Sequence, residues 1–159
     1  MNRPSYLVLS LITSFCIFLH GCTSPEGIVS TQSYSALPQP VSFYVSSNSS
    51  SATDHKITAL IETKMIEKGF QKASVIEAAN VAITYKYWID QYVEPDYSAW
   101  HFQVTLLDLR YPDEIRLFWQ GQAYSAGRSR NIDLIAPYFV DVLFKNFGRT
   151  VSKENFRTV

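Results

Sequence analysis

Alternating and helix-spaced apolar positions divide the chain into successive elements. Val41-Ser42-Phe43-Tyr44-Val45 alternates as a half-buried strand does. Ser46 to Thr53 is a polar loop, and Asp54 to Lys68 follows as a helix, with Ile57, Leu60, Ile61 and Met65 on one face. Ser51 or Thr53 supplies its cap, Gly69 sits where a helix end wants a left-handed residue, and Phe70 folds back on the last turn. Val81 to Trp88 is a second strand, with Val81, Ile83, Tyr85 and Tyr87 on one side. Ile89 to Ala99 reads as a loop. Trp100 to Leu109 is a third strand, Tyr111-Pro112-Asp113-Glu114 a turn, and Ile115 to Tyr124 a fourth strand that pairs with the third as a hairpin. Asn131 caps a second helix running to about Phe147, with a stripe at Ile132, Ile135, Phe139, Leu143 and Phe147. Pro137 either kinks this helix or marks a later start, and Gly148 ends it.

The order is strand, helix, strand, strand, strand, helix. It predicts an α+β two-layer sandwich: a mainly antiparallel sheet of about four strands with both helices on one face. The limits are 41–148 for the single domain and 149–159 for a polar C-terminal tail.

What precedes the domain is an address. Arg3 gives the start a positive charge, Tyr6 to Leu19 is an apolar run too short to span a bilayer, and small and polar residues follow. Leu19-His20-Gly21-Cys22 resembles the lipobox of bacterial lipoproteins. The resemblance implies that 1–21 is a signal peptide cleaved before Cys22, and that Cys22 carries the lipid. Several acyl chains on one residue anchor a protein stably where a single chain does not. Thr23 rather than Asp after the cysteine points to the outer membrane, with the domain facing the periplasm. The stretch 22–40 holds three prolines and little periodicity, and reads as a tether with a span of about 20–25 Å.

Charge and cysteine content then exclude several chemistries. Fourteen basic residues balance fourteen acidic ones, which leaves no basic stripe for nucleic acid. The 47% hydrophobic content excludes disorder. Cys16 leaves with the signal peptide and the lipid consumes Cys22, so the mature chain has no thiol for catalysis, metal binding or a disulfide. No H-E-x-x-H, EF-hand loop, phosphate-binding loop or serine elbow occurs, and no cofactor or metal is expected. Asp90, Glu94 and Asp96 read as a solvated acidic loop. Arg128 and Arg130 before the second helix read as a solvated basic loop, although an anion at the helix start is the sharper alternative. His55 is a surface residue. His101 is a strand residue facing away from Trp100 and Phe102. A hydrolase would need it paired with Asp90, Asp96 or Asp108 and a hydroxyl such as Ser98, a geometry that spacing alone does not predict.

The residues also resemble a family. Ser42-Phe43-Tyr44-Val45, Glu67-Lys68-Gly69-Phe70, Ala78 to Tyr85, Leu106-Leu107-Asp108-Leu109 and Leu117 to Ala123 are similar to the small bacterial envelope lipoproteins of domain of unknown function 4136. The similarity spans about Val41 to Gly148, and its most specific piece is Trp119-x-Gly121-x-Ala123. Where family members often carry Asp, this chain has Asn80, and where they often end the last helix with Pro it has Gly148. The resemblance implies an α+β lipoprotein domain and assigns no activity or site.

The aromatic density around the second and third strands is the main functional signal. Tyr85, Tyr87, Trp88, Tyr92, Tyr97 and Trp100 fall close together, and alternation cannot place all of them under the helices. Exposed aromatic patches mark interaction surfaces. The expected function is therefore a non-catalytic outer-membrane lipoprotein, whose periplasmic domain presents these residues to an envelope protein partner or to another copy, in cell-envelope assembly or maintenance. The alternative is a binding module for an envelope glycan or lipid.

Overall fold

A computed structural model describes residues 26–36, 41–47, 49–90, 98–111, 114, 116–127 and 131–157. Among these, seven strands and two helices form an α+β sandwich. In chain order they are β1 (Glu26–Ser33), β2 (Ser42–Ser46), α1 (Ala52–Glu67), β3 (Gln71–Lys72), a 3₁₀ turn (Ile76–Ala78), β4 (Val81–Asp90), β5 (Ser98–Asp108), β6 (Arg116–Gly127), α2 (Ile132–Lys145) and β7 (Val151–Arg157). The sheet order is β3-β2-β4-β5-β6-β1-β7.

Local chemistry sets the helix limits. The Ser51 hydroxyl accepts the Asp54 amide at 3.0 Å, satisfying one free donor of the first turn. At the other end Gly69 has φ +88°, the Phe70 amide bonds the Met65 carbonyl at 3.1 Å and the Gly69 amide bonds the Ile66 carbonyl at 2.9 Å. This paired closure needs the left-handed residue that glycine supplies. The Asn131 side chain accepts the Asp133 amide at 2.9 Å to start α2, and Pro137 lies inside that helix with an exposed ring.

Both helices cover one face of the sheet. Ile57, Ile61 and Met65 of α1 and Ile135, Phe139, Leu143 and Phe144 of α2 meet Phe43, Ile83, Tyr85, Phe102, Val104, Leu106 and Trp119. Phe139 stacks on Phe102, and Trp119 packs at a tilt against the stacked pair Phe144 and Phe147. Lys56–Asp133 and Lys64–Asp141 link the exposed sides of the two helices.

The expected sheet of four strands understates the observed one. The strand–helix–strand passage from β2 through α1 to β4 returns the chain in the same direction, so β2 pairs parallel with both β4 and β3 and the sheet is mixed. Three strands lie where none was expected, the two-residue β3 among them. β1 falls within the stretch read as tether, and β7 within the stretch read as tail; β1 pairs with β6 on one side and β7 on the other. The apolar signal of β1 and β7 is weak because they bury little: Val29 and Thr31 are the buried residues of β1, and β7 buries none completely. The expected loop at Ile89 to Ala99 is shorter than predicted, since Ile89, Asp90, Ser98 and Ala99 belong to the β4–β5 hairpin. The β5–β6 hairpin forms as expected, with Phe118 as an extra residue where the register shifts between Leu106 and Leu107.

Candidate functional site

Sequence-proposed residues divide between the two faces of the sheet. Tyr85 is 2% exposed and Trp100 7%, both beneath the helices, which corrects the expectation that they form a binding surface. The Tyr85 hydroxyl lies 3.0 Å from the Asp54 carbonyl oxygen and 3.2 Å from Thr58 Oγ1, so it ties β4 to the start of α1. Burial pushes the Tyr85 phenol above its ordinary range. Tyr87 is partly buried against the same core, tilted on Trp100, and burial raises its phenol too. Trp88 alone of the described set points the other way. Tyr92, Tyr97, Cys22, Glu94, Asp96, Arg128 and Arg130 lie outside the described residues.

Both helices pack on the sheet face opposite the one that Trp88 joins. On its own face the Trp88 indole stacks on His101 of β5, with centroids 4.8 Å apart and planes 3° from parallel. His101 in turn meets Tyr124 of β6 at 4.9 Å. The rings form one row because Trp88 pairs with His101 and His101 with Tyr124 across adjacent strands, and cross-strand partners share a face. Lys86, two residues before Trp88, lays its ammonium 5.3 Å from the indole centroid. Asp90 Oδ2 meets His101 Nε2 at 2.8 Å.

This His–Asp pair is one that the sequence offered as half of a hydrolytic site. Its second half is absent among the described residues. His101 Nδ1 is buried with no hydrogen-bond partner. Ser98 faces the helices, and the Asp108 carboxylate is taken by the Arg110 guanidinium at 2.8 and 2.9 Å. A histidine base needs a nucleophile on its free nitrogen, and this arrangement supplies none. Among the described residues no group of three His, Cys, Asp or Glu side chains converges to hold a metal ion.

Beside the ring row the open face turns to amides and hydroxyls. Gln103 of β5 pairs with Gln122 of β6 and Gln122 with Ser30 of β1; in the next row Thr105 pairs with Gln120 and Gln120 with Gln32. A groove of about 540 Å³ lies over these residues, closed on one side by Thr150, Val151 and Ser152. The start of β7 forms this wall because two residues, Ser152 and Lys153, face the single Ser30 between the pairs Val29–Glu154 and Thr31–Val151. Lys153 takes φ 51° in this bulge and its amide bonds Ser30 Oγ at 3.1 Å. Sequence reasoning missed Tyr124 and the glutamines. The signal was available in the spacing of Gln120, Gln122 and Tyr124 on β6, which places all three on one side of a strand.

The quoted family residues prove structural. The indole of Trp119 and Leu143 occupy the space above Gly121, so only a residue without a side chain fits between them. Asn80 Oδ1 accepts from the Ser42 amide at 3.3 Å and the Ser42 hydroxyl at 3.0 Å, a role that an aspartate oxygen also fills.

No protein-family model and no curated protein matches the sequence. Solved structures do match the fold. A PDZ domain protein from Parabacteroides distasonis is similar with a TM-score of 0.61 at 17% identity, over 91% of this chain and 41% of that one. The chain thus spans well under half the length of that protein. A DUF4136 family protein from Bacteroides thetaiotaomicron has a TM-score of 0.57 at 16% identity, over 75% of this chain and 94% of that one. The PelC dodecamer from Paraburkholderia phytofirmans has a TM-score of 0.53 at 13% identity, over 79% and 99%. At these identities the likeness is one of fold. The likeness to a solved DUF4136 protein supports the family resemblance read from the sequence.

Proposed function

We propose that this chain is a lipid-anchored, non-catalytic binding protein of the bacterial outer membrane, with its domain in the periplasm and the open face of its sheet as the binding surface. The observation that carries the reading is the sheet face that neither described helix covers, with the Trp88–His101–Tyr124 row beside a polar groove. The anchor is the lipobox-like Cys22, with a role in cell-envelope assembly or maintenance. No helix among the described residues is long and apolar enough to cross a membrane. The expected protein-interaction surface rested partly on Tyr85 and Trp100, which the core takes. That shifts support to the binding-module alternative, in which the open face holds an envelope component. A second reading, self-association, draws on the dodecameric form of the PelC structure.

In-cell photo-crosslinking from positions 88, 122 and 124 of the full chain tests this reading. A specific adduct from these positions, and none from Gln71 or Glu77 at the opposite end of the sheet, is the expected result. Absence of any open-face adduct would overturn it. Fractionation of Cys22→Ser tests the anchor: the variant should leave the membrane fraction.

A further inference from the structure

We propose that the open-face groove is a site for a neutral, hydroxyl-rich glycan chain. The proposal rests on the open-face reading above and names its ligand class.

The lining is the first argument. Gln32, Gln103, Gln120 and Gln122, with Ser30 and Ser152, present amides and hydroxyls to the groove, and no charged side chain lines it. Each glutamine amide offers donors and an acceptor together. Gln32, Gln120 and Gln122 make no side-chain hydrogen bond to another described residue, and Gln103 donates only a long one, 3.3 Å to Thr105 Oγ1. The face therefore carries a two-row array of unspent hydrogen-bonding groups on three neighbouring strands. Strands lie about 4.8 Å apart and same-face residues along one strand about 6.8 Å apart.

Other ligand classes fit less well. Phosphate, carboxylate or lipid head groups call for Arg or Lys; Lys86 is turned onto the Trp88 ring, and neither Arg149 nor Lys153, which flank the wall residues 150–152, lines the groove. An acyl chain or an amphipathic helix needs an apolar floor, whereas Val151 is the one apolar residue lining the groove. The core of a protein interface is apolar and aromatic. Here the rings lie in the row beside the groove, packed on one another, and none of them lines it. A ligand that exchanges many water hydrogen bonds for many amide hydrogen bonds, without charge, is the one this surface complements.

The test is an array of immobilised oligosaccharides probed with the full chain in detergent micelles. It should carry neutral β-glucans, mannans and N-acetylglucosamine oligomers beside uronic-acid and sulfated oligosaccharides. Binding confined to neutral glycans is expected, weakened about tenfold or more by the double change Gln120→Leu and Gln122→Leu, with the thermal midpoint unchanged. Binding only to acidic oligosaccharides, binding indifferent to the double change, or no glycan bound would overturn the proposal. Crosslinking from position 122 separates the two readings. A protein or lipid adduct without glycan retention leaves the open face as a binding surface and removes the glycan. No adduct from any open-face position, with no glycan retained, removes both.

Discussion

The indole of Trp119 lies across the space above Gly121, so that a Cβ at residue 121 would stand 2.5 Å from Trp119 Cη2 and 2.7 Å from Leu143 Cδ2. Both atoms belong to fully buried side chains, and a packed core yields little. Gly121→Ala should therefore destabilise the domain by about 1–3 kcal/mol. Gly127→Ala, where nothing stands within 4 Å of the added carbon, should stay within about 0.5 kcal/mol of the parent. Urea denaturation of the pair measures this. Equal midpoints would mean that the Trp-x-Gly-x-Ala spacing serves something other than packing.

β7 closes the sheet at the β1 edge, and the Phe156 ring meets Phe139 edge-on at 6.3 Å. Truncation after Gly148 removes that ring and bares the β1 backbone as a new edge, which invites pairing with other chains. The truncated protein should melt lower and associate in a concentration-dependent way by light scattering. Phe156→Ala alone should cost about 1–3 kcal/mol, less than full burial would give because the ring is only partly covered. A truncated chain as stable and monomeric as the parent would show that β7 adds nothing to the sheet.

β1 and β7 also mark how far the sequence could be read. The helices and β2, β4, β5 and β6 announce themselves, because each buries a full apolar face: Ile57, Ile61 and Met65 repeat at the helical period, and Phe102, Val104 and Leu106 alternate. β1 and β7 bury little and draw their order from pairing with strands distant in sequence, so Glu26–Ser33 and Val151–Arg157 look like linker. The same limit applied to the site. Alternation correctly sent Trp88 and His101 to the face away from Trp100, yet which face the helices would cover, and so which aromatics they would bury, depended on packing. The spacing of Gln120 and Gln122 on β6 was legible, but the full array needs β1 beside β6, since Gln32 and Ser30 complete it from the far end of the chain.

Two carboxylates and two phenols should shape stability against pH. The Arg110 guanidinium holds the Asp108 carboxyl below its ordinary range. Burial opposes ionisation of Asp54, but hydrogen bonds from Ser49, Ser51 and Tyr85 outweigh it and leave that pKa lowered too. Each group binds protons more weakly folded than unfolded, so its contribution is complete above the unfolded value of about 3.9 and is lost as pH falls through the folded one. Tyr85 and Tyr87 are raised by burial, so their contribution is complete below the unfolded value of about 10 and fades as pH rises through the folded ones. Denaturation midpoints across pH should fall at both ends. Asp108→Asn should flatten the acid limb and Tyr85→Phe the alkaline one. An unchanged acid limb in Asp108→Asn would exclude the Arg110 pairing as its source.

Trp88 and Trp100 stand on opposite faces of one hairpin, and their replacement should separate folding from binding. Trp100 is buried beneath the helices and packs on Tyr87. Trp100→Ala removes a large core ring and should cost about 3–5 kcal/mol. Trp88 gives up mainly its stack on His101, so Trp88→Ala should cost about 1 kcal/mol. The functional readouts should run the other way. Trp88→Ala should fold and yet lose most of the adduct captured from position 124, because it removes one end of the ring row beside the groove. Trp100→Ala, examined well below its own melting temperature, should keep that adduct. Loss of capture in Trp100→Ala with full capture in Trp88→Ala would place the binding surface on the helix side and refute the open-face reading.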